Sequence, residues 1–383
     1  MTSTYLSHNN IISSLGFHSK TVVDQLAKEI SGLQLVDNPR LLDRPFYCST
    51  IDEALLEKAY GALEARTPHT RLEKMLLVSL DDIITSSALE LTDRVGLIIS
   101  TTKGNIDVLE NGNPFSEERA YLASLGDQIK THFNFKTEPI VISNACVSGV
   151  LALSVAKRMI QQKTFEHIFV VAGDLVTEFI ISGFNSFQAL SDAPCRPYCK
   201  TRTGINIGEV AASVLVSNDL RLCVEESVEI LGEASCNDAN HISGPSRTGE
   251  GLYRSIVSAL TEAHISPDEI DYISAHGTAT MFNDEMEAIA FNRAGMGDIP
   301  LNSLKSYFGH TLGASGLLET IIGMHSLQRN TLFASKGFQE MGVSAPLNII
   351  QETTKKPLSV FLKTASGFGG SNTAAVFRKI KSS

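Results

Sequence analysis

The sequence carries no surplus of positive charge. Lys and Arg number 32 against 42 Asp and Glu in 383 residues, a formal net charge of −10. That balance excludes a broad basic face, so nucleic acid is not an expected partner, and an acidic protein would have to dock on a local basic patch. Long apolar runs are missing as well. No stretch approaches the roughly 18 residues that a membrane helix needs, so no membrane span is expected. The opening residues, MTSTYLSHNNIISSLG, lack a basic n-region and a continuous apolar segment. An export leader is therefore not expected, and the cytoplasm is the expected location. In that compartment Cys48, Cys146, Cys195, Cys199, Cys223 and Cys236 are expected to be free thiols. Cys195 and Cys199 do not form a CxxC pair and no second ligand pair follows them, so no metal site is expected.

What is present is an ordinary globular composition, 43% hydrophobic and 19% charged, on a chain long enough for two domains or two packed halves. Short runs rich in Val and Ile, RVGLIIST (94–101), EPIVIS (138–143), HIFVVAGD (167–174) and EVAASVLVSN (209–218), read as buried strands. Between them TRLEKMLLVSLDDII (70–84) and SGVLALSVAKRMIQ (148–161) have apolar residues at helical spacing. After residue 220 the pattern returns, from IDYISAHGTAT through NDEMEAIAFNRAG to LSVFLKTASGFGGSNTAAVFRK. This alternation predicts a layered α/β fold with a division near 219/220, residues 1–219 forming one half and 220–383 the other. A single large domain is the alternative from pattern alone.

Several corners carry chemistry-bearing side chains. Cys146 falls between a strand and a helix, flanked by the small residues Ala145, Ser148 and Gly149. A thiol before a helix N-terminus is expected to lean toward thiolate, the nucleophilic form; a buried structural cysteine is the equal alternative. His276 follows a strand in SAHGTAT, with the hydroxyls of Thr278 and Thr280 beyond it. In NSLKSYFGHTLGASGLLE, Lys305 and His310 precede a helix bearing Glu319, which could face back to a buried lysine. ASGFGGSN (365–372) is a glycine turn between two strands and carries Phe368; no P-loop lysine follows it. A thiol with two imidazoles suits acyl transfer followed by carbon–carbon bond formation, with the histidines stabilising an enolate oxygen.

The motifs NACVSG, RPYCKTRTGINIGEVAA, NDANHISGPSRTGEG, AHGTATMFNDEMEA, NSLKSYFGHTLGASGLLE and GFGGSN occur in that order along the chain. In this the sequence resembles the β-ketoacyl-acyl carrier protein synthases, elongating condensing enzymes of the thiolase superfamily. The resemblance implies a five-layered αβαβα, thiolase-like fold of two similar halves. It implies an acyltransferase that condenses a Cys-bound acyl group with malonyl-acyl carrier protein, in fatty-acid or polyketide/polyene-type biosynthesis. By position Cys146 is the implied nucleophile, and His276, His310 and Lys305 the implied catalytic partners. Glu319, Glu287 and Asp284 would form the supporting network, with Glu287 paired to Lys305. Thr278 and Thr280 would contact the phosphopantetheine arm, and Phe368 would be a gate. No cofactor is expected to be bound, since the acyl and malonyl groups arrive on phosphopantetheine. The expected partners are an acyl carrier protein and a second subunit, a copy of this chain or a related synthase. Arg66, Arg71, Lys74, Lys200 and Arg202 are the expected basic rim for the carrier.

Thiolases carry a second catalytic cysteine in the C-terminal glycine motif, which GFGGSN lacks, and initiating synthases have Asn where His310 stands. The chain departs from the family pattern at TYLSHNNIISSLG in place of a glycine-containing first strand, and at Cys199, Thr203 and Val210. A non-catalytic or weakly active partner subunit of another ketosynthase is the alternative reading.

Overall fold

The structure is a computed structural model that describes residues 2–238 and 244–380. In the first half β1 (Tyr5–Ser13), α1 (Arg71–Ser87), β2 (Val95–Ser100), α2 (Leu122–Phe133), β3 (Ile140–Ile142), α3 (Ser148–Gln161), β4 (His167–Asp174) and β5 (Val210–Ser217) follow in order. The second half runs β6 (Val228–Asn237), α4 (Glu250–Ala263), β7 (Tyr272–Ser274), α5 (Met281–Arg293), β8 (Pro300–Asn302), α6 (Ser315–Arg329), β9 (Asn348–Ile349), β10 (Val360–Gly367) and β11 (Ser371–Lys379).

The strands hydrogen-bond in the order β3-β2-β4-β5-β1-β6-β11-β10-β7-β8-β9. Read outward from the centre, the first half gives β1, β5, β4, β2, β3 and the second gives β6, β11, β10, β7, β8, with β9 added at the rim. The inner two pairings are antiparallel and the next two parallel on both sides. One topology is therefore used twice. Within the sheet the halves join only lightly, through Tyr5↔Glu229 and Leu6↔Val228. The unusual first strand pairs with β5 from Tyr5↔Ser217 to Ser13↔Val210, and a bulge after Ser7 absorbs its irregularity.

Helices cover both sheet faces. α1 starts with a reciprocal cap between Thr70 and Glu73 and buries Leu72, Met75, Leu76, Leu80 and Ile83, one stripe at helical spacing, against β1, β4 and β5. α4 covers β6 and β11. α3 and α6 lie between the two halves, each touching strands of both. Accordingly every α6 residue from Ser315 to Leu327 is buried. The layers run outer helices, sheet, central helices, sheet, outer helices, the αβαβα arrangement expected above. At the centre the two helix backbones nearly touch. A Cβ on Gly149 would lie 2.6 Å from the Leu317 nitrogen, and one on Gly316 would lie 2.7 Å from the Val150 nitrogen. That contact brings the corner before α3 and the corner before α6 to one place.

Candidate active site

Duplication puts equivalent corners face to face. Cys146 leaves β3 for α3, and His310 lies in the matching turn between β8 and α6. His276 follows β7, which is next to β8 in the sheet. Ala145 holds the left-handed φ of +45°, costing on the order of 1 kcal/mol for a residue with a Cβ. The Ser148 hydroxyl secures that corner by donating to the Ala145 carbonyl at 2.7 Å and accepting from the Asn144 amide at 2.7 Å. The result is a thiol that is 8% exposed and opens into a cavity of about 380 Å³ also lined by His276, His310, Thr278, Thr280 and Phe368.

Cys146 Sγ lies 3.0 Å from His310 Nε2, and His310 Nδ1 lies 3.1 Å from the Ser315 hydroxyl. The His276 and His310 rings stand edge to face with centroids 5.2 Å apart. The resting thiol differs from the thiolate expected of its helix-end position. Burial pushes it up to about 12, and the Lys305 charge offsets this only in part. Burial, with the charges of Lys305 and Lys363, holds both histidines well below the usual imidazole range. The pair is therefore a neutral thiol beside a neutral imidazole. One donor atom from each of Cys146, His276 and His310 lies within 4.8 Å of the others. The Cys146–His310 spacing is nonetheless a hydrogen bond, shorter than the ~3.5 Å that separates Cys and His donors around a tetrahedral ion.

Behind the rings lies a buried ionic network. Glu319, 3% exposed, pairs with Lys305 at 2.9 Å and with Lys363 at 2.5 Å. Lys305 also donates to the His276 carbonyl at 2.6 Å. Glu287 does not pair with Lys305, contrary to expectation. Its carboxylate accepts from the amides of His276 and Gly277 and from the Tyr198 hydroxyl at 3.0 Å. Lys305 and Glu287 thus hold the same residue, His276, by its carbonyl and its amide respectively. Asp284 accepts from the amides of Tyr198, Thr278 and Ala279; burial raises it to about 7. Thr278 and Thr280 share a 2.8 Å hydroxyl contact at the cavity wall.

Phe368 sits in the turn between β10 and β11, followed by Gly369 and Gly370 at φ of +83° and +80°. Its ring packs on Phe184 and Phe187. Arg202 is not part of a basic rim. It is buried, donates to the Cys199 and Gly342 carbonyls, and lies 3.6 Å from Asp284. Arg71 is engaged by Glu53 and Glu209, and Lys74 by Glu57. Arg66 is exposed, and Lys200 is exposed with Glu340 as its partner. Of the motif at 237–251, residues 239–243 lie outside the described residues.

Sequence reasoning missed Lys363, Asp174, Tyr198, Phe184 and Phe187. Lys363 had a signal: a charge inside the apolar run LSVFLKTA marks a buried strand position that needs a partner. Asp174 ends β4 and accepts from Thr101, Thr102 and the Gly313 amide, tying the first half to the turn before α6. No local pattern marks that link.

Comparison with known proteins agrees on one family. Residues 73–220 match the family model described as beta-ketoacyl synthase, N-terminal domain, and residues 228–339 the C-terminal domain. The 3-oxoacyl-[acyl-carrier-protein] synthase 2 of Coxiella burnetii is 29% identical over 315 residues, 75% of this chain and 76% of that protein. Two solved structures share the fold. The ishigamide ketosynthase/chain length factor has a TM-score of 0.89 at 21% identity, over 99% of this chain and 100% of that one. The ketosynthase ApeO of Xenorhabdus doucetiae, solved with its chain length factor ApeC, has a TM-score of 0.87 at 24% identity, over 99% and 98% of the two chains. Among the described residues no helix is long and apolar enough to cross a membrane.

Proposed function

The chain belongs to the β-ketoacyl synthase family, and on that premise we propose that it is a 3-oxoacyl-acyl carrier protein synthase working by decarboxylative Claisen condensation. The observation that carries this reading is the Cys146–His310 contact of 3.0 Å with the His276 ring alongside. In the first half-reaction the Cys146 proton moves to His310 as sulfur attacks the thioester carbonyl of an acyl-carrier protein. The phosphopantetheine thiolate leaves and takes that proton back from His310, which returns to the neutral form, and the acyl group stays on Cys146. In the second, a malonyl thioester loses its carboxylate as CO2 and the electron pair passes into an enolate. Neutral imidazoles are suited to this step, because each can donate an N–H to the enolate oxygen from a buried position. The α-carbon then attacks the acyl carbonyl, and collapse of that tetrahedral adduct expels Cys146 as thiolate to be reprotonated.

Thr278 and Thr280 are suited to the polar phosphopantetheine arm, and Phe368 to gating the acyl channel. The carrier protein is the proposed macromolecular partner, with Arg66, and Lys200 beside its partner Glu340, the exposed cations of the expected rim to meet its acidic surface. A second subunit, either a copy of this chain or a related synthase, completes the assembly. The reading applies to fatty-acid or polyketide-type chain building. Intact-mass analysis after incubation with acyl-carrier protein should show one acyl group on the native chain and none on Cys146→Ala. No adduct on the native chain, or normal condensation by Cys146→Ala, would sink the assignment. The first of those results would favour a non-catalytic partner subunit.

A further inference from the structure

The strand end that delivers His276 has an unusual requirement. β7 stops at Ser274 and its backbone enters the site as Ala275-His276-Gly277. Three successive carbonyls there, of Ser274, Ala275 and His276, are directed at buried ammonium groups. Lys363 donates to Ser274 at 3.1 Å and to Ala275 at 3.2 Å, and Lys305 donates to His276 at 2.6 Å. Both lysines are buried, and they share one carboxylate, Lys305 on Glu319 Oε1 and Lys363 on Oε2. A buried lysine persists only when its charge is paired and its protons are placed, and Lys363 meets both conditions on groups that lead directly to a histidine of the site.

We propose that Lys363 is a second positioning lysine of this site. With Lys305 and Glu319 it clamps the three carbonyls leading into His276, and its positive charge adds to burial and to Lys305 in opposing protonation of the rings. This rests on the functional reading above only for which ring does which chemistry. Other charged and titratable groups around the rings are Cys146 at the β3–α3 corner, Asp174 at the end of β4, and Asp284 and Glu287 on α5. Asp284 is opposed by Arg202. Glu287 is spent on the His276 and Gly277 amides, Tyr198 and Asn283. Removing Lys363 therefore removes a cation from a fixed surround, and the histidines should become easier to protonate.

The test is Lys363→Met, which keeps the bulk of the side chain and removes its charge. Ring titrations of His276 and His310, followed by NMR, should move up by about one pH unit. The acid limb of condensation should move up with them, and kcat should fall about tenfold while KM stays within about twofold. Adding Glu319→Gln restores the charge balance and should move the ring titrations back down. A lower melting temperature with ring titrations unmoved would overturn the proposal, because a purely structural lysine predicts that result. If the rings shift but no condensation occurs in the native protein, the functional reading fails and the role of Lys363 stands. Should Lys363→Met fail to fold, the native protein carries the test through its NMR charge states. A charged Lys363 at pH 7 with both rings neutral at pH 6 is expected, and a neutral Lys363 or a protonated ring overturns the idea.

Discussion

Replacing Phe187 with alanine should speed the loading of Cys146. The Phe368 ring lies over the cavity between two neighbours, with Phe184 5.8 Å away and Phe187 5.5 Å away, the latter edge-on at 78°. Such a ring pair contributes about 0.5–1.5 kcal/mol beyond the area it covers. Phe187 is 55% exposed and Phe368 39%, so water already reaches much of both rings and the lower part of that range, about 0.5–1 kcal/mol, applies. If Phe368 must swing off its neighbours to admit an acyl thioester, that contact belongs to the closed state alone. Deleting it then favours the open state by the same amount, a factor of about two to five. The assay is single-turnover acylation by saturating acyl-carrier protein, quenched and read by intact mass. Phe187→Ala should acylate two- to fivefold faster than native, and Phe187→Tyr, which keeps the ring, should stay near native. Acylation by Phe187→Ala that is unchanged or slower, at an unaltered melting temperature, would show that this contact does not restrain the gate.

Two further outcomes follow from buried groups. Gly316→Ala would drive a methyl into the Val150 backbone, 2.7 Å from its nitrogen. Overpacking of that kind costs about 1–3 kcal/mol, so the melting temperature should fall and Cys146 loading should slow as α3 and α6 part; an unshifted melt would contradict the close approach. His325 is buried against Asn9 and held down to about 4, by burial first and then by Arg329. Its folded value lies below its unfolded one, so its contribution is complete above about pH 6.5 and is lost as pH falls toward 4, up to about 3 kcal/mol. The stability of His325→Gln should therefore fall less steeply than native across that window, and parallel curves would show that the ring is not held neutral.

Much of this was legible in the sequence because strands buried on both faces read as unbroken Val/Ile runs. The two halves and the corners bearing Cys146 and His310 followed from those runs and the helical spacing between them. The charge state of Cys146 did not follow. Its helix-end position suggests a lowered thiol, but burial at the corner beside Ala145 and Gly367 raises it by more than the Lys305 charge lowers it. Arg202 was misread for a related reason. It is a charge in a loop by sequence, but its partners, Asp284 and the Gly342 carbonyl, lie some eighty and more positions away. Glu287 lies at its expected station with a different partner, because backbone amides compete for a carboxylate and have no sequence signature.

The light join between β1 and β6 has a consequence for how the molecule is made. During synthesis Cys146 and α3 emerge well before His310 and α6, which bring the base to the sulfur and, with strands of the second half, cover the central face of α3. Until then the apolar residues Val150, Leu153, Ala156 and Ile160 have no second wall, and the thiol has no base beside it. A half-made chain is thus prone to stick but chemically idle. The thiol meets its base only once the chain from His310 onward has folded against α3, so on the function proposed above loading with acyl groups reports that the two halves have come together.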